Sequence, residues 1–241
     1  MINSEMTLVA SPMKSLFYNV MSQYVDSCMS TPEGAAKLHE IQLKAWRVEM
    51  PDGSVTYEGR KLGLAPDKSQ YLYVEKNAGN GEMKVYDKMC DELYVYSEPL
   101  TEMTWEILPD STTQILDHEC VKARTDYHGR EWEVWFAPDI PVQDGPWKLH
   151  GLPGLILAAQ SGDNFRIMAE EIGVANIDVP QMYLVKDYEK VGRKKILSDN
   201  ENFINNFEMQ MAAQGILLNG DGSPANLPKF DRERAAWETD Y

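Results

Sequence analysis

The stretch CVKARTDYHGREWEVWF, residues 120–136, contains the clearest hairpin signal in the chain. Alternating residues flank His128-Gly129, which suits a tight turn because glycine readily adopts positive φ angles. Successive side chains of a strand point to opposite faces, so Trp135 must lie on the face opposite to its apolar neighbours. Those neighbours, which we expect in the core, are Trp132, Val134 and Phe136.

The same period-two alternation recurs on both sides of this hairpin. Asp52-Gly53 and Asn80-Gly81 are turn sequences between further alternating segments. A second hairpin is expected from 155–172, with its turn at 161–164. The remaining expected strands are 71–76, 83–86, 93–96 and 183–191.

Helical signals are fewer. Thr31-Pro32-Glu33 offers an N-cap followed by proline at the first helical position, and we expect that helix to end near His39. A second helix is predicted to start at Ser198, with Glu201 completing a capping box. Together the signals predict a mainly β (α+β) fold: a single antiparallel, curved sheet or unclosed barrel of several hairpins, with one or two packed helices. We expect one domain over 1–220 and a C-terminal strap or flexible tail over 221–241.

The segment GLPGLI, residues 151–156, follows DGPW at 144–147. Glycine and proline at this density predict a tight turn, and the apolar run that follows predicts a buried strand. Leu155 and Leu157 should share one face of that strand, with Ile156 on the other.

The formal net charge of −15 argues against partners with a phosphate backbone and against anionic membrane surfaces. No apolar run approaches the roughly 18 residues of a membrane span. The first ten residues lack the features of a secretory signal, so the chain is either cytoplasmic or a mature form whose signal peptide has been removed.

The three cysteines, Cys28, Cys90 and Cys120, are widely spaced and form no CxxC pair. Three free thiols and one disulfide are both compatible with that spacing. If a disulfide forms, Cys90 and Cys120 are the expected pair, because both lie in or beside predicted strands.

Recognised catalytic motifs, including GxSxG, HExxH and phosphate-binding loops, do not occur in the sequence. His118 and His128 lie at two ends of one strand, too far apart for a shared metal. Asp139, Asp144 and Asp163 stand beside glycine and proline, where aspartate commonly stabilises turns. The sequence therefore predicts no catalytic residue, no metal and no cofactor.

Several of these segments together resemble the GLPGLI family of Bacteroidetes proteins. The resemblance covers roughly 105–172 and rests on HECVKA at 118–123, WFAPDIPV at 135–142, DGPWK at 144–148 and the 151–156 segment. It implies a protein without an established activity, which acts in the periplasm or cell envelope after its signal peptide is removed. The pattern of hairpins is also similar to the unclosed barrels of periplasmic lipoprotein carriers.

These observations favour a non-enzymatic, extracytoplasmic binding or envelope-associated protein, which presents an apolar surface to a lipid, peptide or protein partner. Its expected ligand-binding residues are Trp135, Trp147, Leu152 and Asp144. One alternative is a metal-dependent hydrolase that uses Asp139, Asp144 and His150 around the Gly-Pro loops. Another is a non-enzymatic subunit of an outer-membrane assembly.

Overall fold

The described part of this chain is built from thirteen strands and three helices. The computed structural model describes residues 4–46, 48–49, 51–56, 71–89, 92–174, 176, 178–180, 187–213 and 236–241. The strands are β1 (Met6–Ala10), β2 (Lys14–Asn19), β3 (Val48–Glu49), β4 (Val55–Thr56), β5 (Leu72–Asn77), β6 (Glu82–Met89), β7 (Glu92–Pro99), β8 (Glu106–Ile115), β9 (His118–Tyr127), β10 (Arg130–Ala137), β11 (Leu155–Ser161), β12 (Phe165–Met168) and β13 (Glu189–Lys190). The helices are α1 (Val20–Met29), α2 (Pro32–Trp46) and α3 (Arg193–Ala213).

The first sheet has six strands in the order β1-β2-β5-β6-β7-β13. All neighbours are antiparallel except β13, which runs parallel to β7. One row of paired residues crosses four strands and faces the core, because each of its side chains is almost fully buried. This row consists of Phe17, Val74, Val85 and Tyr96.

The second sheet has five antiparallel strands in the order β12-β11-β10-β9-β8. Its central inward row consists of Ala123, Val134 and Ala159, which join the same core as the inward row of the first sheet. The two sheets therefore enclose one hydrophobic core between them. β3 and β4 form a separate two-stranded hairpin.

The mainly β (α+β) class is confirmed, with eleven strands divided between two sheets and the other two in the β3–β4 hairpin. Within the described residues, the strand order of each sheet is open at both ends, so neither sheet closes into a barrel. The hairpin predicted from 120–136 is confirmed as β9 and β10, with φ of 51° at His128 and 79° at Gly129 in the turn. No helix in the described ranges combines the length and apolar character needed to cross a membrane.

The 151–156 segment forms the predicted turn and strand. At Gly154 an added Cβ would lie 2.3 Å from the carbonyl oxygen of Ala137, so only glycine allows this close approach of two backbones. Leu155 and Leu157 pack on the face that carries Cys120, whereas Ile156 joins the core between the sheets. The predicted division of these side chains between two faces is confirmed.

The helices differ from the predictions at their ends. α1 was not predicted; its N-cap is Asn19, whose side-chain oxygen accepts a hydrogen bond from the Ser22 amide at 2.9 Å. α2 begins at the predicted Pro32 but continues beyond His39, supported by a Glu40–Lys44 ion pair one turn apart.

α3 begins at Arg193, five residues before the predicted start, because tertiary contacts of Arg193 hold its first turn. Cys28 and Cys120 are free thiols. Cys90, residues 183–186 of the strand expected over 183–191, and most of the expected tail over 221–241 lie outside the described residues. The described remainder of that expected strand contains β13.

Candidate functional site

The outer face of the second sheet carries Trp135 beside a row of polar side chains. Trp135 pairs with Lys122 on β9 and with Ala158 on β11. The neighbouring row is polar and crosses four strands; it consists of Arg124, Glu133, Gln160 and Arg166. The register shift between Trp135 and Phe136 is a β-bulge, a device that re-aims side chains on a strand.

A cavity of about 390 Å³ opens on this face. Trp135, Ala158 and Met168 form its apolar part. Gln114, Gln160 and Arg166 supply polar groups at its wall. Its volume falls within the roughly 300–1,000 Å³ typical of small-molecule sites.

Glu133 connects neighbouring side chains of the polar row. It accepts hydrogen bonds from Arg124 Nε and Gln160 Nε2, both at 2.9 Å, and lies 2.7 Å from Lys122 Nζ. The hydrogen bond from Lys122 is the main reason that the pKa of Glu133 lies below its usual value. Lys122 Nζ also lies 5.2 Å from the centre of the Trp135 ring, within reach of a cation–π contact. The ring and the Gln160 amide are thus held in place by one charged centre.

A second cluster, the junction cluster, ties the two sheets to α3. Lys148 is fully buried, contacts Glu98 and lies 2.5 Å from Glu238 Oε1. Arg193 lies 3.2 Å from Glu98, contacts Glu238 and forms a bidentate pair with Asp240 at 2.7 and 2.8 Å. The junction cluster comprises Glu98, His128, Lys148, Arg193, Glu238 and Asp240.

Two acids of the junction cluster, Glu98 and Asp240, are held ionised. Burial opposes ionisation of Glu98, but contacts with His128 and Lys148 outweigh it and lower its pKa to about 2. Hydrogen bonds from Arg193 lower the pKa of Asp240 to about 2. His128 Nε2 lies 3.1 Å from Glu98, close enough for an ion pair but without hydrogen-bonding geometry.

Three members of the junction cluster have metal-ligand spacing. Glu98, His128 and Glu238 each place one ligand atom within 4.8 Å of the others. Lys148 and Arg193 already contact both carboxylates, so their charge occupies the place that a metal cation would take. We therefore interpret the junction cluster as an ion-pair network that joins structural elements.

The four residues expected to bind a ligand are distributed over two sides of the second sheet. Trp135 lines the outer cavity, whereas Trp147 and Leu152 are buried in the core between the sheets. Asp144 pairs with Lys76, which also donates to the carbonyl oxygens of Gly145 and Leu149 at 2.8 and 3.0 Å. Burial lowers the pKa of Lys76, while Asp144 opposes that shift. A ligand-binding role for these residues stays a prediction, and Trp135 alone of the four faces the cavity.

The three residues expected for a hydrolase do not converge. Asp139 lies 2.7 Å from His118, and Asp144 is held by Lys76. His150 directs its two ring nitrogens at the carbonyl oxygens of Lys148 and Thr101, at 2.8 and 3.0 Å. Each group therefore has a structural partner of its own.

Comparison with known proteins points to a different family from the one expected. A family model described as "N-glycanase peptide, N-terminal domain" matches residues 82–194, which include the whole second sheet. No curated protein matches the chain.

Two crystal structures of PNGF-II are similar to this chain, with TM-scores of 0.50 and 0.51 and 16% sequence identity. The likeness covers 82% of this chain and 29% and 30% of theirs. The chain therefore shares its fold with part of PNGF-II and spans less than a third of that protein's length.

These findings overturn three expectations. The GLPGLI assignment is wrong, because the matching family model is that of an N-glycanase domain. The 151–156 signature records backbone constraints such as the Gly154–Ala137 approach, which any sequence with this turn must satisfy. The expectation of a non-enzymatic binding, envelope or assembly protein is wrong for the same reason, as is the classification as a non-enzyme. The metal-dependent hydrolase built on Asp139, Asp144 and His150 is contradicted by the separate partners of these three side chains.

Sequence reasoning missed the junction cluster and the polar row. The cluster joins positions from Glu98 to Asp240, a separation that no local pattern encodes. The polar row did carry a signal, since Gln160 and Arg166 occupy outward positions of strands in the predicted hairpin.

Proposed function

We propose that this chain acts in the cleavage of N-linked glycans, as a domain of the N-terminal type found in N-glycanases. The observation that carries the proposal is the match of the N-glycanase domain model to residues 82–194. The fold shared with part of PNGF-II over 82% of this chain supports it independently of sequence identity.

The matched segment also contains residues of both sites described above. It contains the cavity beside Trp135 and four residues of the junction cluster, Glu98, His128, Lys148 and Arg193. The ion pairs of the cluster fix the second sheet to the first sheet and to α3. A rigid support of this kind suits a domain that must hold a glycan in a fixed position for cleavage.

The proposed substrate is a polypeptide that carries an asparagine-linked glycan. Because the chain spans less than a third of PNGF-II, the complete reaction is proposed for the N-glycanase to which such a domain belongs. A periplasmic or cell-envelope location is part of the proposal, and fractionation of the source cells would measure it.

The test uses two fluorescent peptides of identical sequence, one with a single asparagine-linked glycan and one without it. Each is passed over the immobilised chain, and mass spectrometry of the eluate reports both retention and loss of the glycan. We expect the glycopeptide to be retained or cleaved, while the bare peptide elutes unchanged. Identical, unretarded and intact elution of both peptides would overturn the proposal.

A further inference from the structure

The cavity beside Trp135 combines an apolar platform with a polar wall. Trp135 is half-buried on the outer face of β10, and its neighbour across the strand pair, Ala158, is too small to cover the ring. Lys122 approaches the ring but does not line the cavity, so the ring also presents surface to the cavity itself. An indole ring that is held in place and open to a cavity offers a flat, rigid contact surface.

The polar wall offers donors and acceptors beside that platform. Gln160 uses its amide nitrogen to bond Glu133 and keeps its side-chain oxygen as an acceptor. Arg166 is exposed, and among the described residues its guanidinium forms neither a hydrogen bond nor an ion pair with an acidic side chain. A guanidinium presents five N–H donors in a fixed plane, which can bond the oxygens of hydroxyl groups as well as those of carboxylates and phosphates.

We propose that this cavity is a subsite for one neutral pyranose ring of an N-linked glycan. The ring stacks its C–H face on Trp135 and bonds its hydroxyls to Arg166 and Gln160. This inference rests on the proposed function, because it takes its substrate class from the N-glycanase match.

The overall charge of the chain favours a neutral sugar over an acidic ligand, because a net charge of −15 repels anions. On this face Lys122 and Arg124 are both engaged by Glu133, which leaves Arg166 as the cation of the cavity wall that is open to a ligand. A purely apolar ligand is also disfavoured, because it would leave the polar groups of the wall without partners when they are desolvated.

The test measures binding of a neutral, mannose-terminated N-linked oligosaccharide to the full chain by isothermal titration calorimetry. Saturation-transfer NMR on the same samples identifies which sugar protons contact the protein. We expect measurable binding, with transfer concentrated on the C–H protons of one ring. Trp135→Ala should weaken binding about tenfold, the effect expected for loss of one aromatic contact.

Two further variants keep the result interpretable. Arg166→Ala changes an exposed side chain outside the core and should also weaken binding, even if Trp135→Ala disturbs folding. Trp105→Ala removes a tryptophan that packs against the core and bonds the His150 carbonyl, away from the cavity, and should leave affinity unchanged.

The outcomes separate this inference from the proposed function. Oligosaccharide binding that survives both Trp135→Ala and Arg166→Ala would overturn the subsite and leave the proposed function standing. Binding of a hydrophobic dye in the cavity, without any binding of oligosaccharide, would also overturn the subsite. Failure of the unmodified chain to engage either oligosaccharide or glycopeptide would overturn both proposals.

Discussion

Replacement of Lys148 by methionine tests whether the junction cluster stabilises the contact between the two sheets. The Lys148 side chain is fully buried and contacts both Glu98 and Glu238, which are themselves largely buried. Methionine has a similar length but no charge, so Lys148→Met leaves two buried carboxylates with less positive charge to balance them. The substitution thus removes one partner of a buried ion pair while preserving most of the packing volume.

The expected loss of unfolding free energy depends on which cations still contact the carboxylates of Glu98 and Glu238. Removing one partner of a buried ion pair costs roughly 3–5 kcal/mol. Arg193 still contacts both Glu98 and Glu238, so we expect the lower end, about 3 kcal/mol. With a urea dependence of about 3 kcal/mol per molar, the unfolding midpoint should fall by about 1 M.

Tryptophan fluorescence during urea unfolding measures this loss, because Trp147 and Trp132 lie in the core beside the cluster. Lys195→Met is the matched control: Lys195 forms an exposed pair with Asp199 on α3, and its loss should leave the unfolding midpoint nearly unchanged. Equal midpoints for the two variants would refute the stabilising role of the cluster.

The stability difference between the unmodified chain and Lys148→Met should also depend on pH, whereas a change in packing alone would give the same difference at every pH. The pKa of Glu98 is lowered to about 2 in the folded protein, from an ordinary value of 4.5. Its contribution to stability is therefore present above pH 4.5 and is lost as the pH falls toward 2. The difference between the unmodified chain and Lys148→Met should shrink over that range, and a constant difference would count against the charge explanation.

Three further substitutions test other parts of the fold. Gly129→Ala should cost about 2 kcal/mol, because the residue has φ of 79° and its Cβ would lie 2.4 Å from Thr239 Oγ1; an unchanged melting temperature would contradict this. Burial raises the pKa of Asp87 to about 6 from 3.8, so its stabilising contribution is lost as the pH rises through 6. Asp87→Asn should therefore gain about 1–2 kcal/mol at pH 7 and nothing at pH 3.5 in urea unfolding, and an equal effect at both pH values would exclude this cause. Leu152→Ala should cost roughly 2–5 kcal/mol in the same assay because the side chain is buried in the core, and a cost below about 1 kcal/mol would contradict that placement.

Local pattern predicted the hairpins because both of their determinants lie within a few residues. The turn at His128-Gly129 and the inward positions of Trp132 and Phe136 follow from φ preferences and from the alternation of strand side chains. The same alternation placed Trp135 on the opposite face, where the structure has the cavity.

The partners of buried charges could not be predicted in this way. From the sequence alone, Lys76 is interpreted as a strand residue and Asp144 as a turn residue. The fold nevertheless brings them together in one buried ion pair. The start of α3 depends similarly on Arg193, whose partners Glu238 and Asp240 come from a distant part of the chain. Such pairs depend on tertiary contacts, which no local motif records.

The position of residues 236–241 affects the order in which the molecule can fold. Trp237 packs among Trp132, Trp147 and Phe165, and the Ala236 carbonyl accepts a bond from Arg130, 106 residues earlier in the chain. During synthesis both sheets emerge before this segment, so until it arrives Lys148 lacks Glu238 and the core lacks the Trp237 ring. Closure of a loop of this length is slow compared with hairpin formation. The Trp237 contacts and the Lys148–Glu238 pair can therefore form only after the residues of both sheets have been synthesised.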